Sequence, residues 1–353
     1  MLHRLPANCL LKGKMPKGCI LCARGSKLVL LVTGRCTANC FYCPLSSEKR
    51  GRDVVYADEM RVRRFEDIIH EAELIEAEGA GITGGDPMLV MDRTVEYIKG
   101  LKNVFGEDFH IHLYTSHLEP AKNIEKLAKT GLDEIRFHLL PDVWTCLPNN
   151  YIMALRRALD TGMSVGVEVP ALPDEEGTLV SLIKSLDRIG IHFINLNELE
   201  FSETNLDALL DRGYTAKSDI SAAVSGSEEV AHRIIKELDV DLTMHYCSAS
   251  FKDRVQLRNR IRRRARNIAR EMDVVTDDGT LLKGVIEGDT EEIIKRLREM
   301  KIPEYLFSVD EEKERIEIAP WVLEEIADEL EYDTFIVEEY PTADRLETER
   351  HPL

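Results

Sequence analysis

KLVLLVTGRCTANCFYC, residues 27–43, joins a short apolar run to three closely spaced cysteines. The segment Lys27 to Thr33 is rich in branched residues, which is typical of a strand buried on both faces. Cys36, Cys40 and Cys43 follow, so their loop leaves the carboxyl end of this predicted strand. Ligands bind at that edge in α/β proteins. The segment therefore predicts an α/β core with its chemistry on the first long loop.

The three cysteines have the spacing C-x3-C-x2-C. Thiolates are the usual ligands of iron–sulfur clusters, and a complete structural site normally supplies four of them. Three thiolates suit a [4Fe–4S] cubane with one iron left open to a small molecule. The alternatives are a zinc site or buried thiols that bind nothing.

A second short apolar segment ends at Gly84-Gly85-Asp86-Pro87, some forty residues later. Two glycines allow a ligand to approach the backbone closely, and the Asp86 carboxylate could accept a hydrogen bond from an ammonium group. Tyr42, directly before the third cysteine, adds an aromatic ring to the first loop.

These two motifs together resemble the radical SAM superfamily, with Asp86 in place of the more common Glu. The resemblance implies that S-adenosylmethionine chelates the open iron through its amino and carboxylate groups. It also implies that Tyr42 lies near the adenine and that the Gly84–Pro87 backbone holds the methionine amino group. Reductive cleavage would yield methionine and a 5′-deoxyadenosyl radical that abstracts hydrogen from a substrate.

Part of the resemblance is to the group of the pyruvate formate-lyase activating enzyme. The superfamily's chemistry implies a one-electron donor such as ferredoxin or flavodoxin. The resemblance covers the two core motifs and leaves the substrate open.

Composition indicates a globular protein of 353 residues, of which 44% are hydrophobic. No apolar run approaches the ~20 residues of a membrane span, and no signal-peptide pattern is present. Eight cysteines without secretory features favour a reducing compartment, so we expect a cytoplasmic protein. The net charge of −18 argues against indiscriminate nucleic-acid binding.

Strand and helix patterns alternate along six βα units, which implies a parallel sheet. The family resemblance implies that this sheet forms a partial (β/α)6 barrel, which we place at residues 24–250. We expect a cysteine-containing segment at 1–23, a basic helix at 251–271 and an acidic α+β extension at 272–353, with a hairpin around Asp277–Gly279. The tail after Pro341 is predicted to fray.

A second metal site, zinc or iron–sulfur, is predicted from the remaining cysteines. Cys19 and Cys22 have the spacing of a metal knuckle, and Cys9 and Cys247 are the best candidates to complete it, with His245 as a further ligand. An extended first strand would place Cys22 about 20–25 Å from Cys36, near the opposite mouth of the barrel.

Cys146, beside Trp144 and Leu147, is expected to be a buried or partly buried thiol that binds no metal.

Polar residues at the carboxyl ends of later strands are candidates for cofactor or substrate contacts, because burying them unpaired is costly. They are Thr115, His138, Glu168 and Asn197. Of Arg136 and His138 on one strand, we expect only His138 to face inward. The polar run Glu198 to Asn205 is predicted to form a lid.

The stretch Phe251–Arg270 has an apolar stripe with arginines on its other faces. It is either a solvated helix that pairs with the acidic extension or a binding surface for a phosphate-rich partner such as transfer RNA.

The sequence supports two hypotheses for the function of the protein. The first is a radical SAM enzyme acting on RNA or protein; the second is a non-catalytic iron–sulfur or zinc protein that uses the basic helix as an RNA- or protein-binding module.

Overall fold

The computed structural model describes residues 1–117 and 121–353 and divides into two compact units. The core unit comprises residues 1–73 and 77–257, and the C-terminal unit comprises residues 74–76 and 258–353. Helical structure continues without a break through Ala249–Phe251, the π-helical segment Lys252–Leu257 and Arg258–Ile268, and the part from Arg258 groups with the acidic extension.

The core unit contains thirteen strands and nine helices within the described part of the chain. The strands are β1 Leu2–Arg4, β2 Leu10–Lys12, β3 Lys27–Leu31, β4 Tyr56–Ala57, β5 Met60–Arg61, β6 Gly79–Thr83, β7 His110–Thr115, β8 Glu134–Phe137, β9 Ser164–Ala171, β10 Phe193–Glu198, β11 Ala216–Ser218, β12 Ser221–Val224 and β13 Thr243–Cys247. The helices are α1 Lys17–Arg24, α2 Phe65–Leu74, α3 Met91–Phe105, α4 Ala121–Thr130, α5 Asn149–Asp160, α6 Glu176–Ile189, α7 Leu206–Leu210, α8 Ser227–Glu237 and α9 Ala249–Phe251.

Seven parallel strands lie side by side in the order β3-β6-β7-β8-β9-β10-β13. Hairpin β1–β2 continues the sheet in antiparallel fashion beyond β13, and hairpin β4–β5 continues it beyond β3. The predicted α/β class is confirmed. The sheet has one parallel strand more than the six predicted units, because β13 pairs with β10.

One face of this sheet, called here the inner face, carries a row of polar side chains. The register places Glu168 level with Asn195, and Asn195 level with His245. The expectation that Arg136 and His138 face opposite ways is wrong. Residues two apart on a strand share a face, and the side chains of Arg136 and His138 both reach the backbone or side chain of Glu168.

The C-terminal unit is an antiparallel sheet with helices. Its strands are β14 Val274–Val275, β15 Leu281–Glu287, β16 Phe307–Asp310, β17 Arg315–Ile318, β18 Asp333–Glu339 and β19 Glu347–Pro352, and its helices are α10 Arg258–Ile268, α11 Thr290–Glu299 and α12 Pro320–Ile326. The apolar core includes Ile286, Ile293, Leu297, Ile316 and Leu323. Pairing of β14 with β15 confirms the predicted hairpin.

The tail after Pro341 does not fray, so that prediction is wrong. Strand β19 pairs with β18 along its length. The guanidinium of Arg350 lies 4.4 Å from the ring centroid of Phe335 and 2.8 Å from a carboxylate oxygen of Glu287. These contacts hold a segment whose polar sequence gave no strand signal.

Arg263 and Arg264 of α10 form hydrogen bonds inside the C-terminal unit. Arg263 donates to the carbonyls of Ile75 and Glu76 at 2.7 and 2.9 Å, and Arg264 donates to the carbonyl of Pro341. Arg270, just beyond the helix, donates to the carboxylates of Asp273 and Glu317. The bonds of Arg264 and Arg270 favour the interpretation of the basic stretch as a helix that pairs with the acidic extension.

No helix within residues 1–117 and 121–353 is long and apolar enough to cross a membrane.

Candidate active site

The cysteine loop follows β3 at the carboxyl edge of the parallel sheet. Cys36 is exposed, whereas Cys40 and Cys43 are partly buried. Burial, together with the neighbouring charges of Cys36 and Cys43, raises the pKa of the Cys40 thiol to about 11. Thiolates that share one short loop repel one another, so a cation bound between them would stabilise them.

The three thiols supply the donor type and number that a [4Fe–4S] cluster with one open iron requires. A cubane receives its three thiolates on three different irons, so its ligands lie farther apart than those of one zinc. The donor set of Cys36, Cys40 and Cys43 is therefore compatible with a [4Fe–4S] cluster.

The Gly84–Pro87 motif is bonded directly to the cysteine loop. Gly85 donates its N–H to the carbonyl of Thr33 at 2.7 Å, and Asp86 donates its N–H to the carbonyl of Arg35 at 2.8 Å. Gly84 has a φ of +151°, and a Cβ on Gly84 or Gly85 would clash with those carbonyls. The glycines are thus required where the two loops touch.

The Asp86 carboxylate is fully buried and is hydrogen-bonded on both oxygens. One oxygen accepts from the N–H of Met88 and the hydroxyl of Thr115, at 3.0 and 2.8 Å. The other accepts from the N–H and hydroxyl of Ser116, both at 2.8 Å. A carboxylate offers about four acceptor positions, and all are occupied. Asp86 and Thr115 therefore fasten this loop to β7, and the carboxylate is not free for an ammonium group.

His138 connects the cysteine loop to the sheet. Its Nδ1 lies 2.9 Å from the carbonyl oxygen of Glu168, which can only accept, so Nδ1 carries the proton. Burial lowers the pKa of His138, and the neutral ring offers Nε2 as an acceptor. The Tyr42 hydroxyl donates to it at 2.9 Å, and Cys40 Sγ lies 3.7 Å away.

Glu168 is the centre of the polar row on the inner face. Its carboxylate accepts from Arg136 at 2.8 Å, Asn195 at 2.9 Å and Asn197 at 2.9 Å. Burial opposes its ionisation, but the Arg136 charge and the amide donors hold the pKa of Glu168 below its ordinary value. Arg136 also donates to buried Glu134 at 2.6 Å. The predicted pair Glu168 and Asn197 is thus brought together in a charged, hydrogen-bonded group.

The polar run after β10 packs on the cysteine loop. Asn205 donates to the carbonyl of Tyr42 at 3.1 Å, and Thr204 donates to the carbonyl of Cys43 at 3.2 Å. Ser47 donates to Glu203 at 3.1 Å. These bonds place the predicted lid segment against the residues that would hold the cluster.

The structure does not support the second metal site. Cys19 and Cys22 lie one turn apart on α1 rather than on a tight knuckle, and Cys19 Sγ accepts from Arg136 at 3.4 Å and Asn195 at 3.3 Å. Cys9 and Cys247 lie in an apolar cluster with Phe251. His245 hydrogen-bonds to the thiols of Cys9 and Cys19, but among residues 1–117 and 121–353 no group of three His, Cys, Asp or Glu side chains is placed to hold a metal ion.

Cys146 is exposed, so the expectation of a buried thiol is wrong. Its neighbours Trp144 and Leu147 are buried. The strongly apolar neighbours therefore misled the prediction for the residue between them.

Three residues of the site escaped prediction. Ser116 bonds Asp86, Arg136 bonds Glu168, and Asn205 supports Tyr42. Ser116 directly follows the predicted Thr115, and Arg136 shares a face with His138, so both could have been found. Nothing in the sequence marks Asn205 as the residue of its polar run that reaches Tyr42.

Comparison with known proteins identifies the family. Residues 30–140 match the model of the radical SAM superfamily, and residues 279–353 match a domain of unknown function, DUF8061. The chain is 41% identical over 352 residues to a protein of Methanocaldococcus jannaschii named "Putative glycyl-radical enzyme activating enzyme". That alignment covers 96% of this chain and 93% of the relative.

Two solved structures show a distant likeness. Streptococcus suis SuiB bound to S-adenosylmethionine is 11% identical, with a TM-score of 0.43 over 63% of this chain and 50% of that one. Methylornithine synthase PylB is 15% identical, with a TM-score of 0.42 over 60% and 62%. The chain thus spans about half to three fifths of these proteins.

Three observations agree: the relative that aligns along nearly the whole chain, the family match, and the cysteine loop bonded to the Gly84–Pro87 motif. The non-catalytic hypothesis is therefore set aside. The chain belongs to the radical SAM superfamily and is a radical SAM enzyme.

Proposed function

We propose that the enzyme cleaves S-adenosylmethionine reductively at a [4Fe–4S] cluster held by Cys36, Cys40 and Cys43, and that it activates a glycyl-radical enzyme. When bound, the cluster and S-adenosylmethionine supply a 5′-deoxyadenosyl radical that abstracts a hydrogen atom. The substrate would then be a glycine of another protein. The observation that carries this proposal is the 41% identity, along nearly the whole chain, to a relative named for that activity.

The chain's own residues position the cofactor in this proposal. The Gly84–Pro87 backbone, tied to the cysteine loop, would hold the methionine end. Tyr42 would border the adenine, its ring fixed by the bond from its hydroxyl to His138. Thr115 would contribute indirectly, because its hydroxyl donates a hydrogen bond that holds the Asp86 carboxylate in place.

Glu168 and Asn197 would face the bound cofactor or the substrate from the inner face of the sheet. Their mutual bond at 2.9 Å supplies a rigid polar floor whose negative charge is balanced by Arg136. A preorganised floor of this kind orients a ligand without rearranging first.

A protein substrate is favoured over RNA. Three of the six arginines of α10, Arg258, Arg263 and Arg264, are bonded to carbonyls or carboxylates of their own unit. Releasing them would break those bonds before any phosphate is bound.

The test combines S-adenosylmethionine cleavage with label transfer. Reconstituted enzyme reduced by dithionite should form 5′-deoxyadenosine and methionine. With a glycyl-radical enzyme whose glycines carry deuterium, the deoxyadenosine should gain deuterium, and the partner should show a glycyl-radical EPR signal. Cys40→Ala should form neither product, whereas the exposed-thiol control Cys146→Ala should behave as wild type.

Two results would contradict the proposal. Deoxyadenosine formation that persists in Cys40→Ala would show that the cluster is not held at the proposed site. Deoxyadenosine that forms without deuterium, together with a partner protein that carries no radical, would show that the substrate is not a glycyl-radical enzyme.

A further inference from the structure

A cationic surface borders the cysteine loop of this otherwise acidic protein. It consists of Arg35, Lys49, Arg50, Arg52, Arg61 and Arg63, called here the basic rim. The five arginines are exposed, and Lys49 is partly buried. Residues 48–64 contain six basic and four acidic side chains in a chain whose net charge is −18. The rim is therefore a local reversal of the overall charge.

Backbone contacts place the rim beside Cys36. Gly34, two residues before that cysteine, donates its N–H to the carbonyl of Arg52 at 2.8 Å. Gly51 donates in turn to the carbonyl of Gly34 at 2.8 Å. The turn that carries Lys49 to Arg52 thus packs directly on the start of the cysteine loop.

The β4–β5 hairpin extends the same surface. Tyr56 pairs with Leu31 at the carboxyl end of β3 and with Arg61 across the hairpin. The Lys49 ammonium lies 4.5 Å from the centroid of the Tyr56 ring. Arg61 and Lys49 therefore both lie beside Tyr56, at the carboxyl end of β3 from which the cysteine loop departs.

The carboxylates of this region leave the rim with a positive excess. Asp53 lies 2.6 Å from Arg93 and accepts from Thr33 at 3.1 Å, and Arg35 approaches it at 3.9 Å. Asp58 is buried and accepts the N–H of Val29 at 3.0 Å. Asp67 accepts from the N–H groups of Arg63 and Arg64. Glu48 and Glu59 are the other acids of residues 48–64.

We propose that the basic rim docks an acidic one-electron carrier protein of the flavodoxin or ferredoxin type, an inference that rests on the proposed function. Docking would place the carrier at the exposed Cys36 side of the cluster. One electron would pass from carrier to cluster, the carrier would be oxidised by one electron, and no proton would move. Complementary charge of this kind accelerates encounter and loses its effect as salt screens it.

Binding provides a readout that does not require turnover. The full-length protein, with and without its cluster, is titrated with an oxidised flavodoxin of net negative charge at low salt. The double variant Arg52→Glu/Arg61→Glu should raise the Kd for flavodoxin at least ~10-fold. Raising the salt concentration to about 0.3 M should raise the Kd of the wild-type protein by a similar factor. The matched control is Lys184→Glu/Arg188→Glu on α6, where both residues are exposed and follow β9, four strands from β3. The control should bind as wild type.

A change of reductant separates docking from catalysis. The rim variant should cleave S-adenosylmethionine normally with dithionite but at least ~10-fold more slowly with limiting reduced flavodoxin. Equal loss with both reductants, or unchanged flavodoxin binding, would overturn the docking role. Normal flavodoxin-driven cleavage with failure only toward the protein substrate would also overturn it and assign the rim to that substrate.

Failure of the proposed function would look different. Wild-type enzyme that forms no deoxyadenosine even with dithionite would contradict that function, whereas the binding titration would still decide whether the rim docks the carrier.

Discussion

The Tyr42 hydroxyl donates a hydrogen bond of 2.9 Å to Nε2 of His138, which binds the Glu168 carbonyl through its other nitrogen. One neutral imidazole thereby joins the cysteine loop to two strands of the parallel sheet. Cys40 Sγ lies 3.7 Å from the same Nε2. The position of Cys40, a proposed cluster ligand, is thus coupled to a residue that lies about a hundred positions farther along the chain.

Tyr42→Phe tests this coupling. The substitution leaves the buried Nε2 without its donor, so the free energy of unfolding should fall by about 1–3 kcal/mol. Anaerobic urea denaturation of the apoprotein measures it, with Tyr151→Phe on partly exposed α5 as the control. A Tyr42→Phe protein as stable as wild type would show that the bond is not needed to hold the loop.

Asp86→Asn tests the role of Asp86 as a fastener. The amide keeps one acceptor oxygen but turns an NH2 group toward the Ser116 donors, so two bonds are lost in a fully buried place. We expect a loss of about 1–3 kcal/mol in unfolding free energy and a lower iron content after reconstitution. Asp92→Asn, whose side chain is fully exposed, is the control. Unchanged stability combined with a raised KM for S-adenosylmethionine would instead support direct ligand binding.

Arg136→Gln should be the most destabilising of the substitutions on the inner face. It leaves the buried carboxylates of Glu134 and Glu168 without their cation, at a cost of about 3–5 kcal/mol. Glu168→Gln in the same background should recover part of that loss, because one of the uncompensated charges is removed. A double-mutant cycle by chemical denaturation measures the recovery. Strict additivity would contradict an energetic coupling between the two residues.

Acid should destabilise the C-terminal unit through Glu339. Burial opposes its ionisation, but bonds and charges from Lys283, Arg345 and Lys313 lower the pKa of Glu339 from 4.5 to about 2. Since the folded pKa is the lower one, this stabilisation is present above about pH 4.5 and is lost as the pH falls toward 2. It amounts to about 3 kcal/mol at most.

The measurement is the free energy of unfolding from pH 6 to pH 2 for wild type and Glu339→Gln. The wild-type curve should fall more steeply below pH 4.5, and the two curves should converge near pH 2. Parallel curves across that range would show that Glu339 is not the group responsible.

The sequence was informative where the chemistry is local. Cys36, Cys40 and Cys43 share one short loop, and strand and helix patterns alternate with little interruption after β3. The fold class and the cysteine loop could therefore be predicted. The fastening role of Asp86 was not predicted, because three of its four donors come from Thr115 and Ser116 at the end of β7, which no sequence spacing relates to Asp86. Cys19 had metal-like spacing, but its nitrogen-donor partners come from β8 and β10. The pairing of β19 with β18 was likewise missed, because the polar sequence of β19 does not indicate which strand it will pair with.

The most direct test of the central claim is the iron and sulfide content of anaerobically reconstituted protein, read together with its EPR spectrum after reduction. Wild type, Cys146→Ala and Cys22→Ala should each hold about four irons and four sulfides per chain. Their reduced spectra should change when S-adenosylmethionine is added. Single Ala variants of Cys36, Cys40 and Cys43 should hold little iron and give no such signal. A full iron complement in those three variants, or a lone zinc ion in wild type, would contradict the account.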